Sequence, residues 1–252
     1  MKFKNKVVLI TGGSRGIGKA TAIAFAKEGA TVALNYRSNK EAALQTLAAL
    51  EGTTHMEVQA DIGDPQAVKA MVDQVAQHYQ KIDILVNNAG IFEYHPIDKV
   101  DYGTWQRNWQ RTLNINLVAA ANLTYCAAQH MIQQGHGKII NVSSRGAFRG
   151  EPLQPAYGAS KAGMNAMGQS LAQALAKYNI SVCTVAPGFV ETDMATEVLE
   201  GPEGNDIRNQ SPFGRVAKPE EVAAGILFFA SEETTFMSGA VLDINGASYL
   251  RT

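Results

Sequence analysis

The chain has 252 residues, 46% hydrophobic and 18% charged, with a formal net charge of −1. That length suits one α/β domain with a sizeable core, and the near-zero charge removes any global pull toward nucleic acid or an anionic membrane. The longest apolar runs fall far below the ~20 residues of a membrane helix. Cys126 and Cys183 lie far apart with no C-x-x-C, so they read as reduced thiols of a cytoplasmic protein. His55, His78, His95, His130 and His136 form no metal-ligand grouping, so no metal site is expected.

Val7 to Ile10 (VVLI) is a short apolar run after a basic start and leads straight into glycines. It reads as a first strand and not as a signal peptide. TGGSRGIG (Thr11 to Gly18) follows, then a helix from about Ile17 to Lys27 with Ala20, Ile23 and Ala24 as its apolar face. Strand, glycine turn and helix together suit a phosphate: Gly12, Gly16 and Gly18 allow close backbone approach, and the helix start offers unpaired N–H groups. The spacing is G-x-x-x-G-x-G, not the commoner G-x-G-x-x-G.

Thr31 to Asn35 is the second strand. An acid at its end would grip a ribose hydroxyl, but the end reads Asn35-Tyr36-Arg37-Ser38. Arg37, Ser38 and Arg15 of the glycine turn can surround a 2′-phosphate, which favours NADP over NAD. A helix over about Lys40 to Leu50 and a strand near Met56 to Ala60 come next, with Asp61 at the strand's end. Asp64-Pro65 opens a helix, the acid as cap and the proline at the first helical position. Val68, Met71, Val72, Val75 and Tyr79 repeat at helical spacing and read as core. Ile82 to Val86 is the fourth strand, ending in Asn87-Asn88-Ala89-Gly90.

Trp105 to Met131 is mostly helical, with Asn114 and Asn116 inside an apolar run. A buried asparagine there must satisfy its amide, by bonding a carbonyl across a distorted turn or by holding a water. Lys138 to Val142 is a buried strand that ends at Ser143-Ser144. The helix that follows carries Tyr157 and Lys161 at i and i+4 and runs to about Tyr178. A phenol near pKa ~10 is a poor acid or base at neutral pH, and a neighbouring ammonium is expected to pull it toward the working range. Ser144 can then hold the oxygen of a carbonyl or alcohol while Tyr157 moves the proton. The alanine- and methionine-rich helix suits a subunit interface as well as a core.

Ile180 to Ala186 is the sixth strand, followed by Pro187-Gly188-Phe189-Val190-Glu191-Thr192. Residues 193–216 show little periodicity and read as a mobile insertion near the sheet's carboxyl edge, where substrates bind. A last helix (about Lys218 to Ala230) and a strand (Ala240 to Ile244) complete the chain. The alternation predicts an α/β fold: a single Rossmann-type doubly wound domain over residues 1–252, with a parallel sheet flanked by helices.

TGGSRGIG, Asp61, NNAG at 87–90, Asn116, Ser144, Y-x-x-x-K at 157–161 and PGFVET at 187–192 stand in the order and spacing of the short-chain dehydrogenase/reductase family. The resemblance spans essentially the whole chain and points to the family's short subfamily. It implies a catalytic set of Asn116, Ser144, Tyr157 and Lys161. In that set Tyr157 is the acid/base, Lys161 tunes it and holds the nicotinamide ribose, and Ser144 binds the substrate oxygen. Asn116 positions a water for the proton relay. The resemblance also implies cofactor contacts at Gly12, Ser14, Arg15, Gly16, Ile17 and Gly18. Further contacts are Tyr36, Arg37, Ser38, Asp61 and Ile62, then Asn88, Ala89 and Gly90, then Pro187, Gly188, Val190 and Thr192. Asp61 meets the adenine, Asn88 lies beside the adenosine ribose, and Thr192 orients the carboxamide.

PGFVETDM is similar to the 3-oxoacyl-carrier-protein reductases of that family. Those carry basic residues near the ends of their two long helices, but here the ends read Gln133-Gln134-Gly135-His136 and Lys177-Tyr178-Asn179. The favoured substrate is therefore a small ketone, sugar or secondary alcohol, with the acyl-carrier reductase second and a non-catalytic nucleotide sensor third. The family resemblance further implies a homo-oligomer, dimer or tetramer.

Overall fold

Strands and helices alternate along the chain, and each strand returns to the same sheet through a helix. The computed structural model describes residues 1–251, apart from the Glu197 side chain. Among them, seven parallel strands form one sheet: β1 Val7–Ile10, β2 Thr31–Tyr36, β3 Met56–Gln59, β4 Ile84–Asn87, β5 Gly137–Val142, β6 Ile180–Pro187 and β7 Val241–Ile244. Their order is β3-β2-β1-β4-β5-β6-β7. The chain builds outward from β1 to β3, then restarts at β4 on the other side of β1. This reversal opens a crevice at the carboxyl ends of β1 and β4, where the loops of the two halves diverge.

Helices cover both faces. On one side α1 (Gly16–Lys27) packs against α10 (Pro219–Ala230), with α2 (Lys40–Ala48) beside them. On the other lie α3 (Pro65–Tyr79), α5 (Ala119–Gln134) and α7 (Pro155–Leu175). β5 and β6 are buried along their whole length, as strands covered on both faces must be. The face of α1 differs from the sequence expectation. Ala22, Phe25 and Ala26 are buried, whereas Ile23 and Ala24 are only half-buried. Ala20 is buried as expected and Ile23 packs against the core, but the small residues Ala22 and Ala26 let α1 lie close between sheet and α10, so two sides of the helix are covered and a one-stripe reading captures only part of the buried surface. Asp64 caps α3 as expected, its carboxylate accepting from the Gln66 N–H at 2.8 Å. Val68, Met71, Val72 and Val75 are buried beneath it, each worth about 1.5–3 kcal/mol of apolar transfer.

Three further elements shape the site. α4 (Tyr102–Leu113) runs into a π-helical turn at Asn114–Val118 before α5 begins. α6 (Gly146–Arg149) is a single turn after β5. Residues 193–216, expected to lack periodicity, contain α8 (Asp193–Glu200) and α9 (Gly204–Asn209). Their buried apolar residues are Ala195, Leu199 and Ile207, which cluster with Val216 and the partly buried Val198. Gly201-Pro202 and Gly204 break the pattern, so no window is long enough to show a helical period.

Candidate active site

The crevice is a cleft of about 600 Å³. Every residue the sequence singled out lines it except two, Gly18 and Asn116, which lie beneath its walls. Gly12 takes a positive φ of 62°, which turns the chain out of β1. Gly18 sits where a Cβ would come within 2.2 Å of the Gly12 carbonyl oxygen, so the turn lies flat on the first turn of α1. Arg15, at the N-cap of α1, gives no side-chain hydrogen bond to the helix, and the first N–H groups of this twelve-residue helix carry no side-chain cap. A pyrophosphate fits this cradle: the glycines leave room for it, and the helix start supplies donors and a favourable dipole.

The turn is held from both flanks. Asn88 Nδ2 donates to the Thr11 and Gly12 carbonyls at 2.8 and 3.2 Å. Thr11 Oγ1 accepts from the Asn88 and Ala89 N–H groups at 3.0 and 3.1 Å. Asn35 Oδ1 accepts from the Gly12 N–H at 3.3 Å, and its amide donates back to the Val58 and Ala60 carbonyls. The Asn88 side chain is thus committed to the glycine turn, and its place beside the cleft is set by that tether.

At the end of β2 the Tyr36 side chain is buried, while Arg37 and Ser38 stand exposed at the rim. Arg15 is also exposed, 3.9 Å from Asp193. Asp61 Oδ1 accepts from the Gly63 N–H at 2.9 Å, closing a turn that fixes the carboxylate at the β3 edge, and Ile62 is buried beside it. Across the cleft, Pro187 ends β6, Val190 is buried, and the Thr192 methyl lies 3.1 Å from where a Gly16 Cβ would be.

The chemical end of the cleft gathers four side chains from three elements. Ser144 leaves β5, and its Oγ accepts from the Gly146 N–H at 3.0 Å, so its own proton remains for an oxygen opposite. Tyr157 and Lys161 share one face of α7, with the ammonium 5.7 Å from the ring centroid. Lys161 is only 3% exposed and donates to the Val142 carbonyl at 2.8 Å. Asn116 is fully buried in the π-helical turn. Its Nδ2 donates to the Ile91 carbonyl at 2.9 Å and to Ser160 Oγ at 3.2 Å, and its Oδ1 accepts from the Ile91 N–H at 2.8 Å. Ser160 Oγ in turn donates to the Tyr157 carbonyl. The π turn is the distorted geometry that an inward asparagine in an apolar run required. Asn114 instead faces outward and bonds the Gly63 carbonyl.

The acid–base balance differs from the sequence expectation. Burial pushes the Tyr157 phenol up to about 12; the Ser144 hydroxyl opposes this and the Glu151 charge adds to it. Burial also pulls the Lys161 ammonium down to about 8. The ammonium does not bring the phenol toward neutrality, because it sits over the ring face and spends a proton on Val142. Burial therefore favours the protonated phenol of Tyr157 at neutral pH.

Several residues of the site lie outside the candidate set, although the loop after Gly90 (Ile91 to His95) reads as aromatic in the sequence and suits an apolar or aromatic-lined pocket. Phe92 presses on the Tyr157 ring edge-to-face at 4.7 Å. His95 is buried, bonding the Glu93 carbonyl through Nδ1 at 2.7 Å and accepting from the Ala156 N–H through Nε2 at 3.2 Å. It pins the aromatic loop to the start of α7. Arg145, beside Ser144, is buried as well.

The reversed strand order, the open glycine cradle and the Ser–Tyr–Lys group together define a nucleotide-binding oxidoreductase. The short chain dehydrogenase profile matches residues 6–203. Over 248 residues the chain is 41% identical to a 3-oxoacyl-[acyl-carrier-protein] reductase of Thermotoga maritima, covering 98% of both chains. It is 36% identical over 257 residues to an L-rhamnose 1-dehydrogenase (NAD(P)(+)) of Sphingomonas, again covering 98% of each. A dehydrogenase/reductase from Sinorhizobium meliloti superposes with a TM-score of 0.89 at 29% identity, over 99% of this chain and 97% of that one. The chain belongs to the short-chain dehydrogenase/reductase family and is an NAD(P)-dependent oxidoreductase. No helix among the described residues is long and apolar enough to cross a membrane.

Proposed function

We propose that the chain is an NADP-dependent reductase of a ketone, or dehydrogenase of the matching secondary alcohol, with Asn116, Ser144, Tyr157 and Lys161 as its catalytic set. The observation that carries this reading is the convergence of the Ser144 hydroxyl, the Tyr157 phenol and the buried Lys161 ammonium at one end of the cleft. A nicotinamide dinucleotide bound along the cleft supplies or accepts the hydride. Ser144 donates a hydrogen bond to the substrate oxygen, where negative charge develops during reduction. Tyr157 gives that oxygen its proton, and Lys161 holds positive charge beside the phenolate that results. Asn116 fixes the Ile91 backbone and the start of the route by which water returns the proton.

NADP is favoured over NAD because Arg37, Ser38 and Arg15 face the rim with no acid at the end of β2. We place the enzyme in the cytoplasm as a homo-oligomer. Tyr102, Val118 and Tyr125 expose apolar surface on α4, the π turn and α5, and α7 exposes Ala159, Ala162 and Ala166, which suit a close helix pairing. Residues 193–216 are proposed as the mobile cover of the substrate. A specific 3-oxoacyl-carrier-protein reductase is the second reading, supported by the Thermotoga relative.

The test is NADPH and, separately, NADH consumption over a carbonyl panel that includes an acetoacetyl thioester, with Tyr157→Phe alongside. The variant is expected to bind NADPH normally and turn nothing over. Near-normal turnover by Tyr157→Phe would sink the catalytic assignment. Light scattering that gives a monomer would remove the oligomer.

A further inference from the structure

Arg145 follows Ser144 directly and is 3% exposed. Its N–H donates to the Pro187 carbonyl at 2.8 Å, which fixes the direction of its side chain. Nη1 donates to Ser248 Oγ at 2.5 Å, and Nη2 donates to Gln210 Oε1. The guanidinium carbon lies 5.2 Å from the Phe189 ring centroid. Arg149 reaches the same Gln210 oxygen at 3.3 Å. Glu151 is near enough to act on Arg145 but makes no ion pair with it, and burial pushes its carboxyl up. No ion pair among the described residues includes Arg145.

A buried guanidinium is normally matched by an anion, because removing a charge from water is costly without one. Here both prongs of the fork rest on neutral oxygens. A carboxylate presents two charged oxygens in one plane, the arrangement the fork binds most strongly. Arg145 and Phe189 also form the wall between the main cleft and a side pocket of about 150 Å³ lined by Ser211, Asn245 and Ser248. The other cation of that pocket, Arg215, is already held by Glu221 through two hydrogen bonds of 2.7 Å.

We propose that Arg145 binds a carboxylate of the substrate, so that the substrate is an oxo acid, or the matching hydroxy acid, whose carboxylate lies a few bonds from the reacting carbon. This deepens the reading above and rests on it. In the reductive direction the ketone carbon gains a hydride from reduced nicotinamide and the oxygen gains the Tyr157 proton, while the carboxylate stays unchanged on Arg145. Ser248 and Gln210 hold the fork in place and yield to the acid when it enters.

The experiment compares pyruvate, acetoacetate and 4-oxopentanoate with their methyl esters as substrates for NADPH consumption. At least one acid is expected to exceed its ester by about tenfold or more in kcat/KM. Arg145→Met is expected to lower that acid's kcat/KM about a hundredfold, mostly through KM, while the ester changes by less than about threefold. Should the variant fail to fold, inhibition of ester turnover by butanoate against butanamide decides the matter in the native enzyme: stronger inhibition by the carboxylate supports the proposal, and equal inhibition overturns it. The proposal is also overturned if every ester equals or exceeds its acid, if an acetoacetyl thioester outruns all the acids, or if Arg145→Met falls equally on both. Turnover of esters without any preference for acids leaves the oxidoreductase reading intact and removes only Arg145. No turnover of any carbonyl compound removes both.

Discussion

An alanine at position 18 puts the cofactor cradle under direct strain. Its methyl would lie 2.2 Å from the Gly12 carbonyl oxygen and 2.7 Å from Asn88 Nδ2, where ordinary contact begins at 3.4 Å. Something must therefore move by about 1 Å. α1 cannot retreat, because Ala22, Phe25 and Ala26 are buried between the sheet and α10. The turn has to lift. Lifting it breaks the Asn88–Gly12 hydrogen bond of 3.2 Å and the Gly12–Asn35 hydrogen bond of 3.3 Å. Each is worth about 1 kcal/mol, and residual overpacking costs about 1–3 kcal/mol more. Gly18→Ala should lose about 3 kcal/mol, divided between fold stability and pyrophosphate binding; if binding bears it all, the dissociation constant for NADPH rises roughly a hundredfold. NADPH titration by fluorescence, with thermal unfolding run with and without NADPH, reads both shares. A variant with wild-type Tm and a dissociation constant within twofold of wild type would refute this account of the turn.

Arg37→Glu should weaken NADPH binding by about two orders of magnitude and leave NADH binding within a few-fold, as parallel titrations would show; equal loss for both would mean Arg37 does not face the 2′-phosphate. Asn88→Ala removes the two side-chain hydrogen bonds from Asn88 to the glycine turn, leaving the backbone ones to Thr11, and should cost about 2 kcal/mol in urea unfolding together with weaker cofactor binding. Lys161 has a folded pKa of about 8 against an ordinary 10.5, so the unfolded chain binds more protons between those values and stability gained from this group rises with pH across that window. Lys161→Met removes that slope: the variant should be favoured at pH 7 relative to its position at pH 10 by about 3 kcal/mol in the difference of unfolding free energies. A pH-independent difference would show that the ammonium is not desolvated.

Much of this site was legible because its signals are local. A glycine turn between a strand and a helix, an i, i+4 pair and a strand-end hydroxyl each lie within a few residues of one another. Periodicity marked α3 and the buried strands for the same reason. Elements were missed where the local pattern is short and broken, and misjudged where a neighbour far along the chain set the outcome. α8 and α9 are too short and too interrupted to show a period, and the buried face of α1 is set by α10, which lies two hundred residues later. The Tyr157 acidity was misjudged because the sequence shows that an ammonium is near but not where it points. In the fold it points at Val142, and burial dominates.

The sequence by itself determined the alternation of strands and helices, the parallel sheet and the types of residue available for hydride-transfer chemistry, because those depend on local pattern and residue identity. Only the tertiary structure decided which distant groups share the cleft. It placed Asn35 and Asn88 on either side of the glycine turn, turned Asn116 inward through a π turn, and set His95 against the first turn of α7. It also buried Arg145 between Gln210 and Ser248. Each of those contacts joins residues at least twenty-three positions apart in the chain, and desolvation, which fixes charge and pKa, exists only once the two layers of helices have closed over the sheet.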